Sequence, residues 1–265
     1  MPFIQYKGRQ LFFRDAGKGK VIVLLHGYPE SSAIWAEFIR VLSKEFRVIA
    51  PDLPGHGRSE VFGEAHPIGL LADAVWEILK TLKIKQCVMV GHSMGGFTTL
   101  EFARKYPGML AGFGLFHSHP FEDSEETKKA RDQFISLIRT DKMKFLKEYI
   151  DLLFWDKTRK KYQSRIRDLT TSASRMTPEA LIAAMKGMKH RKDRSEVLKR
   201  SKVPVLFIVG MQDSRFPVAR AWEIIRMPRR SEVLLLKDVA HMGFLEAKKE
   251  TLATVQAFAG KVYGV

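Results

Sequence analysis

The chain alternates between short apolar runs, which predict β-strands, and segments whose apolar residues recur at helical spacing. The apolar runs lie at residues 21–25, 46–50, 87–90, 109–116, 203–209 and 231–236, after a shorter pair at 4–6 and 11–14. Helical spacing is found at residues 34–42, 70–82, 97–106 and 245–258. Strands that alternate with helices predict a mainly parallel sheet with helices on both faces, and the short early pair predicts an antiparallel lead-in. The predicted fold class is therefore α/β.

Residues 120–201 interrupt this alternation. They contain no strand-like run but several amphipathic helical patterns, in one of which Thr177 and Pro178 fit the N-cap and the first turn of a helix. We interpret the segment as an all-helical cap, inserted between the sixth and seventh strands of the main sheet. Residues 1–119 and 202–265 then form the core domain.

Length and composition predict a globular protein that crosses no membrane. The chain has 265 residues, of which 45% are hydrophobic, so it can bury a sizeable core. Its N-terminus lacks the apolar stretch of a signal peptide, and no segment approaches the ~18 apolar residues of a membrane span. The one cysteine, Cys87, lies in an apolar run and has no partner for an internal disulfide. We therefore expect a soluble protein in a reducing cytoplasm.

The charge is strongly positive, with a formal net value of +16. Residues 121–200 hold 21 Lys and Arg against 13 Asp and Glu, which is half of the total excess. Such a segment forms either an ordinary solvated surface or a site that attracts an acidic partner, for example an acyl carrier protein. We do not expect nucleic acid as a partner, because no zinc-ligand spacing, RNA-binding aromatic signature or helix-turn-helix pattern accompanies the charge.

Ser93 is the predicted nucleophile. It is the central residue of Gly91-His92-Ser93-Met94-Gly95, between an apolar run and a helical pattern. A nucleophile on a tight strand-to-helix turn is forced into a strained backbone region, where side chains two residues away on either side would clash. Glycine at both positions relieves that crowding.

A serine hydroxyl needs a base, and the base needs an orienting carboxylate. His241 follows the last predicted strand, at the sheet edge where the sites of open α/β proteins gather. Asp213 follows the strand at 203–209, and the order Ser93, Asp213, His241 is that of one enzyme class. Asp123 is a rival acid, but its acidic surroundings favour a solvated helix start. Asp238 is close to His241 in sequence and is expected to face solvent.

The developing oxyanion of an acyl-transfer reaction needs two N–H donors. The turn geometry supplies the backbone N–H of Met94. The loop after the third strand, His26-Gly27-Tyr28-Pro29, supplies the second. Because Pro29 has no N–H, Tyr28 is the better donor.

These motifs together resemble those of the α/β-hydrolase superfamily over nearly the whole chain. The matching pieces are His26-Gly27-Tyr28-Pro29, Asp52-Leu53-Pro54-Gly55-His56-Gly57-Arg58-Ser59, Gly91-His92-Ser93-Met94-Gly95-Gly96, Gly210–Asp213 and His241. The resemblance implies an eight-stranded sheet, a helical cap over the site, and no metal or organic cofactor. It also implies that His56 and Arg58 belong to a structural loop.

The function expected from these residues is hydrolysis of the carboxylic ester of a small to medium acyl substrate through an acyl-enzyme. Haloalkane dehalogenases and epoxide hydrolases of the superfamily use Asp as nucleophile, so Ser93 argues against both. A haloperoxidase-like or C–C bond hydrolase activity on the same triad stays open, as does a ligand receptor that retains the site. Some apolar residues form either an acyl pocket or cap core: Phe154, Trp155, Met176, Met185 and Met188. Others either border the site or pack locally: Phe116, His117 and His119.

Overall fold

The fold is built on one sheet of eight strands. A computed structural model of the protein describes residues 2–265. The strands are β1 (Phe3–Tyr6), β2 (Arg9–Ala16), β3 (Val21–Leu25), β4 (Arg47–Pro51), β5 (Cys87–His92), β6 (Leu110–Phe116), β7 (Val205–Gly210) and β8 (Ser231–Leu236). Their order across the sheet is β1-β2-β4-β3-β5-β6-β7-β8. Strands β1 and β2 pair antiparallel with each other, β2 pairs antiparallel with β4, and all later pairs are parallel. This confirms the predicted sheet and its antiparallel lead-in.

Helices pack against both faces of the sheet and account for its buried strands. Those outside the insertion are α1 (Ala36–Leu42), α2 (Ile68–Thr81), α3 (Met94–Lys105), α10 (Val218–Ile225), α11 (Gly243–Glu246) and α12 (Lys248–Tyr263). Helix α3 contacts β3, β5 and β6, whereas α12 contacts β5, β6 and β8. Every residue of β3, β5 and β7 is buried, as expected for strands covered on both sides.

Two helix boundaries differ from the predicted ones. Helix α3 begins at Met94, three residues earlier than expected, because Ser93 itself occupies the N-cap position. The closing helix is two helices, since Ala247 leaves helical geometry at φ −136° and ψ 53°, and the second runs on to Tyr263. Apolar spacing alone cannot detect such a break, because the buried stripe continues through it.

All elements between β6 and β7 are helical, as predicted for a cap. They are α4 (Glu125–Thr140), α5 (Lys142–Asp151), α6 (Asp156–Arg159), α7 (Gln163–Ser174), α8 (Pro178–Lys189) and α9 (Ser195–Lys199). Helix α4 packs on α5 and α8, and α5 packs on α7. The Thr177 hydroxyl accepts the N–H of Ala180 at 3.2 Å, which confirms the predicted N-cap of α8. The division at residues 120 and 201 stays a prediction, and helices α4–α9 are called the cap below.

Among residues 2–265, no helix has both the length and the apolar character needed to cross a membrane. Cys87 is a free, buried thiol in β5, where it packs as a small apolar residue. The cytoplasmic location expected from this lone cysteine stays a prediction.

Candidate active site

Ser93 lies on a strained turn between β5 and α3. Its backbone has φ 50° and ψ −114°, a conformation that residues with a side chain rarely adopt. The N–H of Ser93 donates to the carbonyl of Phe116 at 2.9 Å, which fixes the turn to the end of β6. Strain of this kind persists only where the surroundings enforce it, and it is concentrated at functional sites.

The two flanking glycines are required by close backbone contacts. A Cβ atom on Gly91 would lie 2.1 Å from the carbonyl oxygen of Gly95. A Cβ atom on Gly95 would lie 2.5 Å from the carbonyl oxygen of Leu25 in β3. Both distances are far below van der Waals contact, so the crowding expected from the sequence motif is present on both sides of the turn.

The structure brings the three predicted triad side chains together. The Nε2 atom of His241 is 2.8 Å from the Ser93 hydroxyl oxygen, and its Nδ1 atom is 2.8 Å from Oδ2 of Asp213. Because a carboxylate can only accept, Nδ1 carries the proton, and Nε2 is left as an acceptor for the serine hydroxyl. Each residue follows a different strand, and all three meet at the carboxyl edge of the sheet.

Asp213 is held ionised beneath the imidazole. Its Oδ1 atom accepts the N–H groups of Arg215 at 2.8 Å and Phe216 at 3.3 Å. Burial alone would raise the pKa of this carboxyl, but His241 and His117 hold it well below its usual value. His117 Nδ1 is 3.4 Å from Asp213 Oδ2, and burial lowers the pKa of His117 to about 4, so this second imidazole is neutral at neutral pH.

The two predicted oxyanion donors are free of competing partners. Within residues 2–265, neither the N–H of Tyr28 nor that of Met94 hydrogen-bonds to another group. Met94 is the first residue of α3, so its N–H also lies at the positive end of the helix dipole. Tyr28 is buried, and its loop is braced by Glu30, whose carboxylate accepts the N–H of Gly27 at 2.7 Å.

A buried ion pair that sequence analysis missed lies behind the triad. The Oε2 atom of Glu30 is 3.0 Å from His92 Nδ1, and both side chains are almost fully buried. Burial alone would lower the pKa of His92 and raise that of Glu30, but each charge outweighs burial for the other, so the pKa of His92 is raised and that of Glu30 is lowered. The Nε2 atom of His92 donates to the carbonyl of His241 at 2.8 Å. The pair thereby ties the Tyr28 loop to the loop that carries His241.

Glu246 braces the His241 loop from the other side. Its Oε2 atom accepts the N–H of Ala240 at 3.1 Å and the N–H of Met242 at 3.0 Å. Burial raises the pKa of Glu246 to about 7. The backbone N–H of His241 itself donates to the cap, at the carbonyl of Leu153, at 3.0 Å.

Ser93 and His241 open into a cavity of about 520 Å³ between the core and the cap. This volume lies in the range of about 300–1,000 Å³ that is usual for small-molecule sites. Of the apolar residues left open above, Met188 lines the cavity, as do His117 and His119. Phe154, Met176 and Met185 are buried but do not line it, Trp155 is half-buried, and Phe116 packs in the core.

The rival acids lie apart from the triad. The prediction that Asp123 is solvated was wrong: it is 5% exposed and pairs with Arg131 and with Arg191. Arg131, eight residues along the chain, and Arg191, 68 residues along it, both pair with its carboxylate, which the acidic run around it did not reveal. Asp238 is exposed, as expected.

The loop around His56 makes local structural contacts. His56 is buried, and its Nδ1 atom contacts the carbonyl of Pro54 at 3.0 Å. Arg58 lies over the ring of Phe12 at 4.2 Å. Over residues 2–265, no group of three or more His, Cys, Asp or Glu side chains is arranged to hold a metal ion.

Known proteins are similar to this chain over nearly its whole length. A family model described as alpha/beta hydrolase fold covers residues 20–248. The AB hydrolase superfamily protein YisY of Bacillus subtilis is 26% identical, over 94% of this chain and 95% of its own. A pimeloyl-[acyl-carrier protein] methyl ester esterase of Methylococcus capsulatus is 27% identical, over 94% and 98%. A thermophilic esterase of Thermogutta terrifontis, solved with malate bound, superposes with a TM-score of 0.91 at 29% identity, over 98% and 97%.

Proposed function

The chain belongs to the α/β-hydrolase family, and on that premise we propose that it is a carboxylic ester hydrolase with Ser93 as nucleophile and His241 as general base. The observation that carries the proposal is the pair of 2.8 Å contacts that link the Ser93 hydroxyl, His241 and Asp213. The esterase relatives at 27% and 29% identity support the same reaction class.

Acylation begins with attack of the Ser93 oxygen on the ester carbonyl carbon. The hydroxyl proton passes to His241 Nε2, and Asp213 stabilises the imidazolium that forms. The N–H groups of Tyr28 and Met94 donate to the carbonyl oxygen as it becomes negative, and each such donor lowers a barrier by about 3–4 kcal/mol in other enzymes. Collapse of the intermediate breaks the bond to the alcohol oxygen, which leaves with the proton from His241.

Deacylation repeats these steps with water as nucleophile. His241 takes a proton from the water molecule, and the resulting hydroxide attacks the acyl carbon on Ser93. Collapse returns the proton to the serine oxygen and releases the carboxylic acid. One ester and one water are consumed, one alcohol and one carboxylic acid are released, and the free enzyme is regenerated.

A panel of short p-nitrophenyl esters tests the proposal. Wild type should turn over repeatedly, and Ser93→Ala should lose about 10⁴-fold or more of kcat. Ser214→Ala is the matched control, because Ser214 also lines the cavity but its side chain takes no part in the hydrogen bonds of Ser93, His241 and Asp213. Covalent labelling of Ser93 by a fluorophosphonate without multiple turnover of any ester would instead favour a ligand receptor.

A second candidate is an ester presented on an acyl carrier protein. It is favoured by the excess of eight positive charges over residues 121–200 and by the carrier-linked ester in the names of two relatives. Lys160→Ala with Lys161→Ala, two exposed cap positions, should then weaken turnover of a carrier-bound methyl ester more than that of the free ester. Equal changes on the two substrates would reject the carrier.

A further inference from the structure

Arg215 lines the cavity that contains Ser93 and His241, and part of its guanidinium group has no partner. The Nε and Nη2 atoms are inaccessible to solvent and donate to nothing within residues 2–265. Over the same residues, Arg215 makes no ion pair. Buried charged donors are almost always matched by an acceptor, so an unmatched pair beside a catalytic serine indicates a missing binding partner.

The contact that Arg215 does make involves neither of these two donors in a hydrogen bond. Its guanidinium carbon lies 4.6 Å from the ring centroid of Tyr149, in cap helix α5. This distance places the positive charge over the ring face, within the range of a cation–π contact. Tyr149 in turn meets the ring of Tyr28 edge-on at 5.5 Å. These contacts connect Arg215 with the loop that carries the Tyr28 N–H.

The acidic side chains around the cavity do not neutralise Arg215. Asp123 is already paired with Arg131 and Arg191, and Asp213 with His241. Glu122 and Glu126 line the cavity but are exposed, and neither lies within ion-pair distance of Arg215. The partly exposed Arg215 thus lines the site without an ion-pair partner among residues 2–265.

We propose that Arg215 binds a carboxylate of the substrate, so that the preferred substrates are esters that carry a second, ionised acid group. A carboxylate is planar and accepts two parallel N–H bonds from a guanidinium, and the unpartnered Nε and Nη2 edge can make them once the partly exposed side chain turns that edge into the cavity. The inference rests on the proposed ester hydrolysis at Ser93. It makes Arg215 a specificity residue, because the proton transfers at Ser93 do not involve it.

The side chain can be changed without disturbing the triad. Arg215 supports Asp213 only through its backbone N–H, which any residue except proline retains. Arg215→Met keeps an apolar stem against Tyr149 and removes the charge, and Arg215→Lys keeps the charge without the planar fork. Arg226→Met is the matched control, since Arg226 is exposed and does not line the cavity.

Monomethyl and dimethyl esters of glutarate, adipate and pimelate form the test series, since the members of each pair differ only in the distal carboxylate. Arg215→Met should lower kcat/KM for the monomethyl esters about 10- to 100-fold and change it less than about threefold for the dimethyl esters. Arg215→Lys should recover part of the loss, and Arg226→Met should leave both series unchanged. Equal losses in both series would reduce Arg215 to a packing residue, and no change in either would overturn the proposal.

The carboxylate can belong to the acyl group or to the alcohol of the ester. In 4-acetoxybutyrate it lies on the alcohol, so comparing kcat/KM for this ester with that for its neutral amide tests the second case. A selective loss in either set supports the proposal and identifies the side. Binding of monomethyl adipate to Ser93→Ala, with and without Arg215→Met, is measured by calorimetry. It tests the role of Arg215 separately from the proposed ester hydrolysis. Absence of turnover on every ester would reject the proposed hydrolysis, whereas equal binding by the two variants would reject the role of Arg215.

Discussion

Replacing Glu30 with glutamine tests whether a buried charge supports the site from behind. Three hydrogen bonds meet at this pair: Glu30 accepts from Gly27 at 2.7 Å and from His92 at 3.0 Å, and His92 donates to the carbonyl of His241 at 2.8 Å. The imidazole needs protons on both nitrogens to make its two bonds. It therefore has to be charged, and Glu30 supplies the counter-charge.

Glutamine keeps the shape of Glu30 but not its charge. If His92 is neutral, only one of its ring nitrogens carries a proton. One of the three hydrogen bonds is then lost, or it forms only if the amide of the new glutamine turns into an unfavourable orientation. A charged His92 would instead stay buried without a counter-charge. Losing one partner of a buried ion pair costs about 3–5 kcal/mol, and one net hydrogen bond about 1 kcal/mol. We expect a loss of about 3 kcal/mol, which is roughly 6–12 °C in Tm for a chain of this size.

Urea unfolding, followed by circular dichroism and by fluorescence, measures the change. The matched control is Glu37→Gln, because Glu37 is exposed and pairs with Arg40 at the surface. Its unfolding free energy should change by less than about 0.5 kcal/mol.

The difference in unfolding free energy between wild type and Glu30→Gln should depend on pH, because the pKa values of His92 and Glu30 are both shifted in the fold. The raised pKa of His92 gives stability that is complete below the ordinary histidine value of 6.5 and is lost as the pH rises through the folded-state pKa. The lowered pKa of Glu30 gives stability that is complete above 4.5 and is lost as the pH falls. The difference should therefore be largest between pH 4.5 and 6.5. If Glu30→Gln unfolds at the same urea concentration as wild type in that window, the charged pair does not stabilise the site.

Three further predictions concern the triad and its supports. Asp213→Asn should lower kcat on p-nitrophenyl butyrate by about 10⁴-fold with an unchanged circular dichroism spectrum, because His241 loses the acceptor that fixes its tautomer. Gly95→Ala should lower the unfolding free energy in urea by about 1–3 kcal/mol or more, and Gly108→Ala, with open space around it, should change it little. Glu246→Gln should become more stable relative to wild type as the pH rises from 4.5 to about 7. Burial raises the pKa of Glu246, so ionising this carboxyl in the fold is unfavourable for wild type. The urea midpoints of the two proteins across this pH range check the prediction.

Local signals explain why the meeting of Ser93, Asp213 and His241 in the fold could be predicted from the sequence. Each follows an apolar strand, and the ends of parallel strands meet at one edge of a sheet. The glycines at positions 91 and 95 also indicate a tight turn at Ser93, because a side chain at either position would collide with the backbone. Such signals need no knowledge of distant contacts.

The supports of the triad were not predictable, because each depends on the placement of groups far apart in the chain. No spacing rule connects Glu30 with His92, and neither residue type is usually buried. Asp123 fails for the same reason: its environment is decided by Arg191, 68 residues away. Nothing in the sequence indicated Arg215 either, because the feature that matters is the absence of a partner for its Nε and Nη2 atoms, which only the fold reveals.

The backbone of His241 is held between the core and the cap, so we expect the cap to influence the position of the proposed base. Its carbonyl accepts from His92 in the core, while its N–H donates to Leu153 in the cap at 3.0 Å. We therefore expect a shift of the cap to move the imidazole relative to Ser93, and rates are sensitive to displacements of about 1 Å. Cap substitutions made to alter the substrate pocket should consequently change kcat as well as KM. The contact of the Arg215 guanidinium with the Tyr149 ring adds a second connection between the cap and the loop that carries Asp213.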